Sequence, residues 1–577
     1  MAAPPSKLCG NPKAPDMATP TYDAIVIGSG ITGGWAAKEL TEKGLRTLVL
    51  EAGRPIVPEK DYVEHVPRWD MSFRGMGDRK KLQKDQPIQS TCYACEEVNS
   101  DFFVKDTEHP YTTDPAKPFR WIRGRQVGGR SITWGRQSYR WSDLDFTANL
   151  REGIAVDWPI RYADLAPWYD YVEEFSGISG ENLGLAQLPD GKFQPPMEMT
   201  CAEKKVRDAV AKSFGPERIL TIGRVAVLTQ DHKGRAACHY CGPCHRGCIT
   251  LSYFSSINAT LPAAANTGRL TLRPFSTVHS LIFDSKTRRL AGVRVIDTQT
   301  RAALEFHAPL IFLCASTLES TRILLNSATP EFPDGLANSS GELGHNLMDH
   351  IKGGGARAVI PGLENMRTTG RRPNITYMPR FRNVNTKHRD FLRGYGIQSY
   401  SFQDGWGRGA SDVGFGPDFK RRMSEPGPWH FIFDGYGECL PNHGNFVHID
   451  KTCLDAWGIP SLKIHCAFGE NELAMRKDMS VVAAEMLAAA GAHSIQPFRD
   501  SDPPGFSIHE MGTARMGRDP KTSVLNSWNQ SHDLRNLFIT DGSCMASSGC
   551  VNPSLTYMAL TVRACDYAVN QLKRGEL

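Results

Sequence analysis

A short apolar run, Tyr22-Asp23-Ala24-Ile25-Val26-Ile27, passes into a glycine-rich turn at residues 28–34 and then into a helical pattern over residues 35–43. Thr47-Leu48-Val49-Leu50 predicts a second buried strand that ends at Glu51. Strand, turn, helix and strand in this order make a βαβ unit. Residues 54–119 mix proline, charge and aromatics without a period, which predicts an irregular excursion. Glycine returns at residues 123–135. Helical patterns at residues 203–214 and 255–267 flank a cysteine-rich loop at residues 237–250. Strands are predicted over residues 278–283, 292–296 and 310–313. The last leads straight into a helix at residues 318–326, a passage suited to the cofactor-facing side of an α/β sheet.

Between about residues 353 and 470 strand patterns dominate, at 356–360, 430–436, 445–450 and 461–468, and antiparallel β structure is expected there. A long amphipathic helix follows at residues 471–490, then an apolar strand at 537–540 and a closing helix at 554–571. Binding elements lie at both ends of the chain. One domain is therefore expected to be assembled from distant segments, with the β-rich part inserted.

Composition narrows the classes. The 577 residues amount to about three to five domain equivalents, and with 40% hydrophobic and 22% charged residues the chain is globular rather than disordered or fibrous. Lys and Arg number 67 against 62 Asp and Glu, with no long run of either sign, so nucleic acid is not an expected partner. Even residues 481–492 contain Glu485, and no apolar run is long enough to span a membrane. The first twenty residues hold five Pro, two Lys and no apolar core, which does not match a signal peptide.

Three motifs bring chemistry. Gly28-x-Gly30-x-x-Gly33 lies between strand and helix, with Glu51 closing the next strand. The glycines allow a pyrophosphate to approach a helix N-terminus and the carboxylate can accept from a ribose, so a dinucleotide, FAD or NAD, is expected. Cys238-x-x-Cys241-x-x-Cys244-x-x-x-Cys248 has the spacing of ferredoxin runs, although Ile249 stands where those place Pro. An iron-sulfur cluster, [4Fe-4S] or [3Fe-4S], is the first expectation; a zinc site and disulfides are the alternatives. Cys92-x-x-Cys95 reads as two ordinary thiols, a local disulfide or a zinc half-site. Near the C-terminal end, His509-Glu510-Met511-Gly512-Thr513 precedes Asp541-Gly542-Ser543 and Gly549-x-x-Asn552-Pro553-Ser554. A base is identified by geometry, which spacing alone does not show.

Taken with Arg123-Gly124-Arg125-Gln126-Val127-Gly128-Gly129, Ala315-Ser316-Thr317-Leu318-Glu319 and Gly344-His345-Asn346-Leu347-Met348-Asp349-His350, these blocks resemble the glucose-methanol-choline (GMC) oxidoreductases, flavoproteins that oxidise sugars and alcohols. The resemblance runs from Tyr22 to the C-terminal blocks. It implies an α/β fold, a Rossmann-like FAD-binding domain with an inserted α+β substrate domain on an antiparallel sheet. Residues 20–60, 120–140, 220–350 and 500–577 would form the FAD-binding part, and 61–119, 141–219 and 351–499 the substrate part and excursions. His509 would be the catalytic base and Asn552 its partner. Gly28, Gly30, Gly33 and Glu51 would hold the ADP end, Arg125, Gly128, Gly129 and Ser131 the loop facing the flavin, Val278 the adenine, and Asp541 and Gly542 the ribityl chain. Some members attach the flavin through a His before a Trp. Thr133 stands there, before Trp134, so the FAD is expected to be non-covalent.

The cysteine loop resembles that of bacterial flavin-linked sugar dehydrogenase large subunits, which implies a dehydrogenase acting on a sugar or glycoside. It also implies a small subunit and a cytochrome c as electron acceptor. The location would be the periplasm, by co-export with that subunit, or the cytoplasm. Trp406, His430 and Glu438 are candidates for the substrate-pocket wall.

Overall fold

The structure, a computed structural model, describes residues 22–577. The reading of the leader and Cys9 lie outside the described residues. Strands Leu537–Ile539, Leu310–Leu313, Ala24–Ile27, Thr47–Leu50 and Leu270–Arg273 form, in that spatial order, a five-stranded parallel sheet. Four of the five are buried along their whole length, because helices and loops cover both faces. Alternation sorts the side chains. Ile25, Ile27, Leu48, Leu50 and Ile311 enter one core with Trp141 and Trp158, and Ala24, Val26, Val49 and Phe312 enter another with the helix Ile31–Glu42. Each of these Val, Leu, Ile and Phe side chains contributes about 1.5–3 kcal/mol by leaving water.

The second layer is a six-stranded antiparallel sheet ordered His493–Arg499, Ile351–Ile360, Trp429–Gly437, Tyr395–Gln403, Thr376–Met378 and Thr221–Ile222. Thr221–Ile222 joins this sheet from a segment that sequence groups with the dinucleotide half. The Glu470–Ala489 helix packs on one face, where Met475, Met479, Val482 and Met486 meet Phe431, Phe433 and Ile397. Side chains of opposite parity on Trp429–Gly437, including Asp434 and Tyr436, are directed to the other face. That face forms the roof of the main cavity. Two three-stranded sheets complete the β structure: Phe446–Leu454 with Pro460–His465 and Thr112–Thr113, and Ser276–Asp284 with Arg289–Asp297 and Ala303–His307.

Several elements differ from the sequence reading. The strand Tyr395–Gln403 and the helix Tyr162–Ser176 escaped it, the latter because Pro167 interrupts its pattern. Residues 255–267 divide into a wide turn at Ser256–Thr260 and a short helix Leu261–Asn266. Within the excursion the longest helix is Arg79–Asp85, capped by Asp78. Among the described residues no helix is long and apolar enough to cross a membrane.

Candidate functional site

A cavity of about 560 Å³ runs from the first strand-helix turn to the roof sheet. At its nucleotide end the Ala24–Ile27 strand breaks at Gly28, whose φ of +95° favours glycine. A Cβ on Gly33 would stand 1.9 Å from the Gly28 carbonyl oxygen, so helix and turn meet without room for a side chain. Gly28 and Gly30 line the cavity, while Gly33 does its packing behind them. Glu51 accepts from Ser29 N (3.1 Å), Ser29 Oγ (2.6 Å) and Gly53 N (2.9 Å), which fixes its carboxylate at the cavity wall.

Arg125 reaches the same end. Its Nη2 donates to Thr277 Oγ1 (2.6 Å), beside Val278 on the cavity wall. Gly128 N donates to Ser29 Oγ (3.0 Å) and ties this loop to the first turn without lining the cavity. Gly129 and Ser131 do line it, with Ser131 Oγ held between Gly128 O (2.5 Å) and Ser256 N (3.0 Å). Across the cavity Asp541 accepts from Ser320 Oγ and Ser543 N, burial raising its carboxyl above the usual range, and Gly542 follows it on the wall. Tyr557 Oη, also on the wall, is buried without a partner. This glycine cradle, with an arginine at one end and an orphan hydroxyl, fits an elongated dinucleotide.

The other end holds the candidate base. His509 and Asn552 come together, His509 Nε2 lying 3.2 Å from Asn552 Nδ2. Gln398 Nε2 donates to Asn552 Oδ1 (2.9 Å), which turns the amide nitrogen toward the histidine. Behind the ring, His509 Nδ1 faces His350 Nδ1 at 2.9 Å. His350 Nε2 lies 3.1 Å from Ser548 O and 3.0 Å from Gly549 O, and because carbonyls only accept, this nitrogen carries the proton. Burial lowers the His350 pKa, so its ring is neutral and Nδ1 is bare. His509 Nδ1 must then donate to it. Burial, reinforced by the Lys352 and Arg130 charges, also holds His509 well below its usual value, and its Nε2 is left as an acceptor facing the cavity. That is the tautomer a general base needs.

Asp349 sets the candidate base in place. It accepts from the backbone N of Gly505 (2.7 Å), Ser507 (3.2 Å) and His509 (3.0 Å), and holds Ile508 at φ +64°. Next to His509, Glu510 accepts twice from Arg130 Nη1 (3.2 and 2.8 Å). Asp349, His350, Gln398, Tyr436 and Lys352 were not singled out from sequence. Asp349 and His350 lie in a quoted block; the others belong to strands with no motif.

The pocket-wall candidates fare differently. His430 pairs with Asp404 (2.8 Å) at the half-exposed surface and Glu438 with Arg393 (2.8 Å) inside the protein, and neither lines the cavity. The Trp406 side chain lies outside the described ones.

Cys238, Cys241, Cys244 and Cys248 line one small separate cavity with Glu64 and Tyr253. All four are free thiols, which removes the disulfide alternative, and Cys92 and Cys95 are likewise free and buried. Burial, then neighbouring thiols, pushes Cys241 up to about 11. Four thiols are the donor set of a soft-metal centre. Even so, among the described residues no group of three or more His, Cys, Asp or Glu is closed to metal-binding distances. The two cavities are neighbours: Tyr93 on the main one contacts the ring of His245, which follows Cys244, at 6.4 Å between centroids.

Family profiles described as GMC oxidoreductase match residues 22–352 and 441–561. The chain is 29% identical to 2-methyl-1,2-propanediol dehydrogenase of Mycolicibacterium austroafricanum, covering 94% of each. It is 27% identical to the fructose dehydrogenase large subunit of Gluconobacter japonicus, covering 96% of this chain and 99% of that one. Among solved structures, pyridoxine 4-oxidase from Mesorbium loti superposes with a TM-score of 0.58 at 18% identity over 94% of this chain and 98% of its own.

Proposed function

The chain belongs to the GMC oxidoreductase family, acting with FAD on alcohol- or sugar-type CH-OH donors, and from that premise we propose that it dehydrogenates a hydroxyl of a sugar or glycoside to a carbonyl. FAD, when bound, supplies the acceptor for the carbinol hydride. The chain's own contribution is proton removal and orientation. His509 Nε2, an acceptor by its tautomer, takes the hydroxyl proton, and Asn552 Nδ2 donates to the same oxygen. The substrate thereby loses a proton to the base and a hydride from carbon, which leaves C=O.

The hydrogen-bonded line His350, His509, Asn552, Gln398 carries this reading. Purified His509→Ala that retains FAD should reduce its flavin with sugars or polyols on the order of 10²–10⁴ times more slowly than the parent under anaerobic conditions. Reduction at the parental rate removes His509 from the role.

The four thiols support a finer reading, a [4Fe-4S] or [3Fe-4S] cluster held by Cys238, Cys241, Cys244 and Cys248, supplying one-electron transfer toward a cytochrome c or similar acceptor. A small subunit belongs to the same reading, with periplasmic location by co-export, and the relative named as a large subunit supports it. Iron and acid-labile sulfide assays with electron paramagnetic resonance on anaerobic protein test it. Zinc without sulfide instead identifies a structural zinc site in an alcohol or polyol oxidase or dehydrogenase.

A further inference from the structure

Lys352 stands two residues after His350 at the start of the Ile351–Ile360 strand. Ile351 enters the core beneath the Glu470–Ala489 helix, while Lys352 lines the main cavity. The ammonium lies 4.2 Å from the centroid of the Phe506 ring, with no hydrogen bond and no carboxylate within ion-pair distance among the described residues. It lies near enough to help depress the His509 pKa. Asp434 on the roof accepts from Gly353 N (3.3 Å) and forms no ion pair with Lys352; burial pushes its carboxyl up to about 6, and the Lys352 charge pulls the other way. Tyr436, on the same face and 6.3 Å from His509 between ring centroids, has no hydrogen bond from its hydroxyl among the described residues.

Arg130 on the same wall is ion-paired with Glu510, while Arg136 donates to the Trp134 carbonyl (2.6 Å) and has no carboxylate partner among the described residues. An unpaired cation and a free hydroxyl donor on the wall of the main cavity, beside the candidate base, make a site for an anion. Resting on the function proposed above, we propose that Lys352 and Tyr436 form a subsite for an anionic substituent of the substrate. The preferred alcohol would be a polyol or sugar that carries a carboxylate or a phosphate as well as the hydroxyl to be oxidised. A cation placed this way raises affinity for such a substrate and leaves the proton step to His509.

The test compares matched pairs, gluconate with sorbitol and glucose 6-phosphate with glucose, by anaerobic flavin bleaching in the holoenzyme. The parent should favour at least one anionic member, the two pairs distinguishing carboxylate from phosphate. Lys352→Met, checked for full FAD content, should lower the ratio of anionic to neutral kcat/KM at least tenfold, chiefly through KM, and Lys352→Arg should retain most of it. Titration of the oxidised holoenzyme with adipate, which has no hydroxyl to oxidise, should perturb the flavin absorbance saturably in the parent and not in Lys352→Met. Should no alcohol bleach the flavin while adipate still binds through Lys352, the oxidation reading fails and the subsite stands. Equal use of neutral and anionic partners by the parent would overturn the proposal. So would a Lys352→Met protein with an altered flavin potential and an unchanged ratio.

Discussion

His350 Nδ1 stands 2.9 Å from His509 Nδ1, and this contact across 159 residues decides which nitrogen of the candidate base faces the cavity. His350 acts on the reaction through that ring and is a positioning residue. His350→Phe should keep FAD but lower kcat on the order of tenfold to a hundredfold, the cost of a base in the wrong tautomer part of the time. A pH-rate profile distinguishes this from a general loosening, because the acid limb should move while KM changes little.

The depressed pKa values set a pH window. Both His350 and His509 lie below the ordinary 6.5 in the folded protein, mainly through burial. Each takes up its proton more readily when unfolded, so the unfolded chain binds more protons as the pH falls below 6.5. Their contribution to stability is fully present above that value and declines below it. The thermal midpoint should drop as pH is lowered from 6.5, and less steeply in His350→Phe. The acid limb of kcat/KM should likewise lie below 6.5, since His509 remains unprotonated there.

Gly33 tests the nucleotide cradle. A Cβ at that position would lie 1.9 Å from Gly28 O, so helix and turn must separate to admit it. Gly33→Ala is expected to cost about 1–3 kcal/mol of stability and to purify largely without flavin, as read by the ratio of flavin to protein absorbance.

Arg393 tests what Glu438 does. Both side chains are fully buried, and Arg393 also donates to Asn149 Oδ1 (2.8 Å) and to Glu152. Arg393→Met leaves a buried carboxylate without its cation and should cost about 3–5 kcal/mol in chemical denaturation. Adding Glu438→Gln should recover part of that loss.

The dinucleotide end was legible because its chemistry is local: a strand, three glycines and an acid recur at fixed spacing within thirty residues. Four of the five parallel strands were legible as short, mainly apolar runs; Leu270–Arg273, which alternates Leu with Thr and Arg at the sheet edge, was not. The roof was not. Lys352, Gln398 and Tyr436 come from three strands whose period of two assigns a face but not a position along it. His430 and Glu438 have the same parity as Tyr436, yet one lies toward the far end of the strand against Asp404 and the other just beyond it, turned inward to Arg393. His350 was within a quoted block, but only the fold brings it to His509. The cysteine loop shows the converse: spacing placed four thiols at one cavity, and the structure adds that they are free.

The order of the parallel sheet bears on how the protein is made. Its edge strand Leu537–Ile539 pairs with Leu310–Leu313, and the helix Ser554–Lys573 packs on Ile31–Glu42 from the opposite end of the chain. Segments that fold as they leave the ribosome could complete the roof sheet, whose latest strand ends at Arg499, well before the nucleotide half has its last strand and covering helix. At about 5–20 residues per second, the cradle waits roughly half a minute or more after its first glycines are synthesised. The Leu310–Leu313 edge of this sheet therefore has no partner strand until residue 539 has been made, and the cavity wall lacks Asp541 and Gly542 until then as well.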